Sequence, residues 1–285
     1  MHGEAMPAII NGMDIPLSLY LHIPFCRHRC SYCDFNTYTS LGELRAAYGQ
    51  ALAQEVAQVG RLAEEAGAKR PLQTIFFGGG TPSLMPLASL EQVLTAVSTQ
   101  FGLAPTAEIS LEANPGTVDL AYLSGLRQLG FNRLSFGVQS VIDSELALLE
   151  REHNFDTVIE AIDLARQAGF DNFNLDLIYG LPGQTLASWE QSVRTVLQLD
   201  PPHFSLYCLT IEPGTPMQRW LHNGRIQPPD PDLAADQYEL AGDLLGRQGL
   251  IHYEISNWAK AGQASRHNLA YWRNEAYLGL GAGAH

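Results

Sequence analysis

The chain has 285 residues, 46% of them hydrophobic, and a net charge of -13 from 17 Lys and Arg against 30 Asp and Glu. That length suits one large α/β domain or two modest ones with a real core. The charge argues against a broad nucleic-acid surface, no uninterrupted apolar stretch is long enough to span a bilayer, and residues 1–11 read as neither a secretory signal nor an Arg-rich presequence.

Apolar runs of strand type alternate with amphipathic runs of helix type. The strand-type runs are Leu17–Ile23, 74–77, 108–112, 133–138, 172–178 and 203–209. Leu44, Tyr48, Leu52, Val56, Val59 and Leu62 recur at helical steps of three and four, as do Leu186, Trp189, Val193 and Val196. This alternation predicts parallel strands joined by crossover helices. Six such units fit between residues 17 and 209, whereas a closed barrel needs eight. The expected fold is therefore α/β, a partial (βα)6 TIM-like barrel over 17–232, with a flat doubly wound sheet as the alternative. Residues 1–16 form a lead-in, and 233–285 begin a C-terminal appendix. A proline-rich connection (Pro213, Pro216, Pro228, Pro229, Pro231) precedes a helix near 233–247 and a short strand near 251–255. The glycine-rich end, 279–285, reads as a loop leading onward.

Three of the four cysteines lie within eight residues, in Cys26-Arg-His-Arg-Cys30-Ser-Tyr-Cys33. Such closeness suits a metal site in a reducing cytoplasm better than a disulfide framework. Three thiolates on one loop can hold three corners of a four-iron cluster and leave the fourth iron open to a small molecule. A closed zinc site with His22 or His28 is the competing reading, but such sites usually draw on two separated ligand pairs and no second pair exists here. Cys208, alone in an apolar stretch, reads as a small buried apolar side chain.

Polar and glycine-rich positions recur where the strand runs end, the edge at which parallel α/β architectures bind ligands. In Gly78-Gly-Gly-Thr-Pro82 the missing side chains let backbone approach a ligand, with N–H and C=O groups exposed to hold its polar head. A plain tight turn is the alternative. Glu112 and Asp176 are acids in otherwise apolar strands, where a carboxylate needs a partner or a ligand. Each can accept the hydroxyls of a ribose, or else form an ion pair with Arg133 or Arg151. Gln139 reads as a ligand contact or a satisfied core amide. Arg151, taken alone, reads as a solvated helix residue.

Together these features resemble the radical S-adenosylmethionine (SAM) superfamily. The strings Tyr20-Leu-His-Ile-Pro-Phe-Cys26, Phe77-Gly-Gly-Gly-Thr-Pro-Ser83, Glu112-Ala-Asn-Pro-Gly116, Arg133-Leu-Ser-Phe-Gly-Val-Gln139, Asn174-Leu-Asp-Leu-Ile-Tyr-Gly-Leu-Pro182 and Leu209-Thr-Ile-Glu-Pro213 narrow the match. They resemble the oxygen-independent coproporphyrinogen III oxidase family, and within it the oxidase-like heme chaperones. The resemblance implies that Cys26, Cys30 and Cys33 hold a [4Fe-4S] cluster, that Tyr20 and Gly79 line a first SAM, and that Glu112 takes its ribose. It places Gly80, Thr81, Gln139, Arg151 and Asp176 at positions that contact a second SAM in the oxidase.

Two departures from the oxidase weigh against coproporphyrinogen decarboxylation. Phe35 stands where the oxidase carries one more cysteine, and only 25 residues precede Cys26. His267-Asn-Leu-Ala-Tyr-Trp272 matches the chaperones' HNxxYW motif, which implies heme ligation by His267, an imidazole being a natural axial ligand. Simple packing is the alternative, and Met217 or another side chain is left open as a second heme ligand. The resemblance thus implies a cytoplasmic heme chaperone with heme as cargo, a heme-receiving protein and an electron donor as partners, and no nucleic acid. SAM cleavage is an accompanying activity. Coproporphyrinogen III dehydrogenase is the alternative, and an RNA-acting radical SAM enzyme a third that the acidic charge disfavours. Chains of this family normally continue past the point where this one stops, so a truncated oxidase-like C-terminal region is expected.

Overall fold

A computed structural model describes residues 16–284 of the chain. The lead-in expected over 1–16 therefore lies almost entirely outside the described residues. Six parallel strands are joined by helices in chain order: β1 (Leu17–Ile23), α1 (Arg45–Glu65), β2 (Leu72–Gly79), α2 (Leu87–Gln100), β3 (Leu103–Ala113), α3 (Leu120–Gln128), β4 (Arg133–Gln139), α4 (Asp143–Leu148), α5 (Phe155–Gln167), β5 (Phe173–Tyr179), α6 (Leu186–Leu197) and β6 (His203–Cys208). Side chains at the entry points start several helices. Asp119, Asn154 and Thr185 accept from backbone N–H groups of the first turns of α3, α5 and α6, which satisfies donors that have no partner within the helix.

The strands alternate between an apolar outer face and a polar inner one. Leu17, Leu19, Leu21 and Ile23 of β1, Ile109 and Leu111 of β3, Leu134, Phe136 and Val138 of β4, and Leu175 and Leu177 of β5 belong to one continuous core with Val56, Val93, Leu126, Ile162 and Trp189 of the helices. Each fully buried side chain of this size contributes about 1.5–3 kcal/mol. The intervening residues, among them Ser110, Glu112, Ser135, Asn174, Asp176, His203, Ser205 and Tyr207, line a cavity of about 560 Å³. Helices cover one face and a cavity occupies the other, which is the layout of a partial barrel and not of a doubly wound sheet.

The remaining segment forms α7 (Pro216–His222), α8 (Pro231–Arg247), β7 (Ile251–Glu254), β8 (Asn257–Ala259), α9 (Arg266–Trp272) and β9 (Ala276–Leu280). The sheet order is β7-β8-β6-β5-β4-β3-β2-β1-β9. β8 adds antiparallel to β6 and β9 adds parallel to β1, so α9 connects β8, next to the edge strand β7, to the opposite edge β9. Two expectations are corrected here. The proline-rich connection contains helix starts, because Pro216 and Pro231 sit in the first turns of α7 and α8, where a missing N–H costs nothing. Gly279 and Leu280 lie in β9, not in a loop: β1 supplies a paired edge that sequence periodicity does not reveal. No helix among the described residues is long and apolar enough to cross a membrane.

Candidate cofactor site

Cys26, Cys30 and Cys33 lie in the loop after β1 and line the main cavity with Gly79, Gly80, Thr81, Glu112, Gln139, Arg151 and Asp176. All three are free thiols. The loop is tied down by its backbone: Cys26 N donates to Tyr38 O at 3.1 Å, Cys33 N to Cys30 O at 3.2 Å, and Ser31 N to Leu149 O at 3.3 Å. Burial pushes the Cys26 and Cys33 thiols above their ordinary range, and the neighbouring Cys30 adds to this at both. Bound metal supplies the positive charge that turns cysteine ligands into thiolates.

A closed zinc site does not fit the surroundings. His22 is hydrogen-bonded to Tyr20 Oη at 3.0 Å and to Asn36 O at 3.0 Å, and His28 stands 3.8 Å from Glu150 at the surface. Among the described residues no three His, Cys, Asp or Glu side chains converge on the position of a single ion. A cuboidal cluster makes no such demand, because each thiolate binds a different iron.

The glycine triplet packs against the cysteine loop. Gly80 N donates to Ile23 O and Thr81 N to Phe25 O, both at 2.8 Å, and Gly79 N donates to Glu112 Oε2 at 3.0 Å. These three N–H groups are therefore occupied, which corrects the expectation that they face a ligand. Glycine is required for the close approach itself. A Cβ at Gly80 would stand 2.7 Å from Phe25 O, and one at Gly79, where φ is +111°, 2.4 Å from the His22 ring. Tyr20 is not in the cavity wall; its ring stacks on Phe76, 6.2 Å between centroids.

Neither acid forms the ion pair weighed against ligand binding. Arg133 donates to Asn172 Oδ1 and Gln263 O, and Arg151 to Asn114 Oδ1, Gly137 O and Cys30 Sγ. Burial, with the Asp176 charge second, pushes the Glu112 carboxyl up to about 8. Asp176 accepts from Asn174 Nδ2 at 2.6 Å and Ser135 Oγ at 3.2 Å; burial raises its pKa and these donors oppose the rise. Gln139 sits at φ +69°, a region rare for side-chain-bearing residues and concentrated at functional sites. Its Oε1 and the Arg151 Nε are buried without a hydrogen-bond partner. Both residues line the cavity; Gln139 is not a satisfied core amide, and Arg151 is not a solvated helix residue, since it lies between α4 and α5 with its guanidinium bonded to Cys30, Asn114 and Gly137.

His267 lies elsewhere. It is 1% exposed, bonded to Thr74 Oγ1 at 2.6 Å and Tyr271 Oη at 2.9 Å, and stacked on Phe76. Burial pushes its pKa down to about 3, so the ring is neutral. Met217 is fully buried beside Leu149 and Leu181 and away from the cavity wall. Cys208 is corrected in the other direction: it is exposed and lines the cavity, because β6 ends there. Asn114, Asn174, His203 and Tyr207 also line the cavity. Apart from Asn114, which follows the last residue of β3, they follow the polar positions of the two-residue strand alternation, the pattern that could have revealed them.

The family model described as the radical SAM superfamily matches residues 20–196. The heme chaperone HemW of Synechocystis sp. is 43% identical over 95% of this chain and 66% of its own. The heme chaperone HemW of Bacillus subtilis is 42% identical over 94% and 70%. The solved structure of coproporphyrinogen III oxidase (HemN) from Escherichia coli superposes with a TM-score of 0.82 and 29% identity, over 96% of this chain and 64% of that one. This chain spans about two thirds of the length of these relatives. The cofactors of the matched superfamily are a [4Fe-4S] cluster and SAM. The cavity fits both, in its three free thiols and in the unpartnered Gln139 Oε1 and Arg151 Nε. The chain belongs to the radical SAM superfamily and, within it, to the HemW family.

Proposed function

We propose that this chain is the cluster- and SAM-holding part of a cytoplasmic heme chaperone, which takes up heme and passes it to a recipient protein. The observation that carries the reading is one cavity lined by three free thiols, two half-buried carboxyl groups and two unpartnered polar atoms. Cys26, Cys30 and Cys33 hold the cluster. When bound, the cluster supplies an electron, drawn from a separate donor, to the sulfonium of SAM.

The residues of the chain bind and orient. Glu112, already fixed by Gly79 N, accepts ribose hydroxyls. Gly79 and Gly80 hold the ligand's side of the cavity against the cysteine loop, and Tyr20 stacks on Phe76, which lines the cavity. Thr81, Gln139, Arg151 and Asp176 extend the polar wall toward a second SAM. What supports heme as cargo is the similarity to heme chaperones and the HNxxYW string. His267 enters as a heme ligand with α9 displaced, since both its nitrogens are bonded in the described arrangement. Anaerobic titration of the reconstituted protein with heme tests the reading: a saturable Soret change is expected, and its absence overturns it.

The second reading, coproporphyrinogen III dehydrogenase, is favoured by the structural likeness to the oxidase. Phe35, 61% exposed and lining the cavity where the oxidase carries a cysteine, weighs against it. Formation of protoporphyrinogen in an anaerobic assay would restore it.

A further inference from the structure

Two thiols of the triad accept hydrogen bonds from side chains. Thr81 Oγ1 donates to Cys26 Sγ at 3.6 Å, and Arg151 Nη1 donates to Cys30 Sγ at 3.4 Å. One residue joins the two donors. Asn114 donates from Nδ2 to Thr81 Oγ1 at 3.0 Å and accepts on Oδ1 from Arg151 Nη2.

The directions in this chain are fixed by donor chemistry. A guanidinium has no acceptor, so Asn114 must present its oxygen to Arg151 and its amide N–H to Thr81. Thr81 then accepts from Asn114 and turns its own proton to the sulfur. Arg151 Nη2 also donates to Gly137 O at 2.8 Å, which anchors the guanidinium to β4. Cys30, Thr81, Asn114 and Arg151 line both the main cavity and a smaller neighbour of about 80 Å³, so the bridge is the wall between them.

We propose that Asn114 is a positioning residue for the cluster: it aligns the Thr81 hydroxyl and the Arg151 guanidinium as donors to the Cys26 and Cys30 sulfurs, and so raises the cluster's reduction potential. Reduction adds one electron, and part of its charge resides on the sulfurs. Donors aimed at those sulfurs stabilise the reduced state more than the oxidised one. The inference rests on cluster ligation by the three cysteines and is independent of heme.

The test is a redox titration of the anaerobically reconstituted protein, with dithionite supplying one electron per cluster and being oxidised to sulfite. The reduced cluster is followed by electron paramagnetic resonance. Asn114→Ala and Thr81→Val are expected to shift the midpoint to more negative potential at unchanged iron and sulfide content, with Thr81→Ser close to wild type. The double variant should shift by less than the sum of the single shifts, because Asn114 acts partly through Thr81. Wild-type midpoints in both single variants would overturn the proposal. If Asn114→Ala fails to take up a cluster, the near-isosteric Thr81→Val and Thr81→Ser pair decides alone, and equal midpoints overturn it. A heme titration of the same samples reads the chaperone function separately.

Discussion

The backbone N–H of Gly79 donates to Glu112 Oε2 at 3.0 Å, which ties the end of β2 to the end of β3 and fixes a carboxylate in the cavity wall. The same burial that holds Glu112 in place penalises its charge, and its carboxyl is pushed from 4.5 up to about 8. A folded-state value above the unfolded one means that the protonated group stabilises the fold. That contribution is complete below about pH 4.5 and is lost as the pH rises through about 8. Urea unfolding of the ligand-free protein should therefore show Glu112→Gln less sensitive than wild type to a rise in pH between those values. An identical pH dependence in the two proteins would refute this.

The same substitution bears on SAM. Exchanging one carboxyl oxygen for an amide N–H removes one acceptor for the ribose hydroxyls and costs about 0.5–1.5 kcal/mol, or roughly two- to tenfold in affinity. Equilibrium dialysis of the reconstituted Glu112→Gln protein against labelled SAM measures it, and unchanged affinity would remove Glu112 from the binding wall.

Gly80→Ala should be costly and Gly242→Ala should not. The new methyl at Gly80 meets two backbone carbonyl oxygens, of Phe25 and Ile23, at 2.7 and 2.9 Å. These oxygens accept the bonds that join the glycine triplet to the cysteine loop, so they cannot retreat freely. Overpacking of this kind costs roughly 1–3 kcal/mol, and cluster retention should fall with it. Gly242 lies within α8 with nothing near its Cβ position, and alanine there should stabilise by about 0.5–1 kcal/mol. Denaturation midpoints compare the two.

Cys26→Ala, Cys30→Ala and Cys33→Ala should each lose most of the bound iron and acid-labile sulfide. Cys208→Ser should retain both, although Cys208 lines the same cavity. Iron and sulfide analysis after reconstitution distinguishes them, and loss of the cluster on replacing Cys208 would mean a fourth protein ligand.

His267→Ala removes a buried ring that holds Thr74 and Tyr271, and should lower stability by roughly 2–4 kcal/mol. Soret titration at a temperature where the variant remains folded reads heme binding apart from that loss. Full heme affinity in the folded variant would take His267 out of the ligand set.

Much of this site was legible before any coordinates. C-x3-C-x2-C is a local spacing, and the strand-and-helix alternation placed it at a strand end, so the thiol loop, Glu112, Asp176 and the glycine triplet emerge from residue order alone. The tight fit of the triplet to the cysteine loop was not legible. It depends on the carbonyls of Ile23, the last residue of β1, and of Phe25 just beyond it. Nor was the burial of His267, because its partners Thr74 and Phe76 lie almost two hundred residues away in sequence.

Residue order by itself determined the thiol triad, the six βα units and the rim where the polar residues gather, because ligand spacing and hydrophobic period are properties of adjacent positions. The tertiary structure alone decided that β9 pairs with β1, that Cys208 opens onto the cavity, and that Asn114 bridges Thr81 to Arg151. Those relationships join distant segments, and their energies come from edge pairing and hydrogen bonds that exist only once the barrel wall is formed.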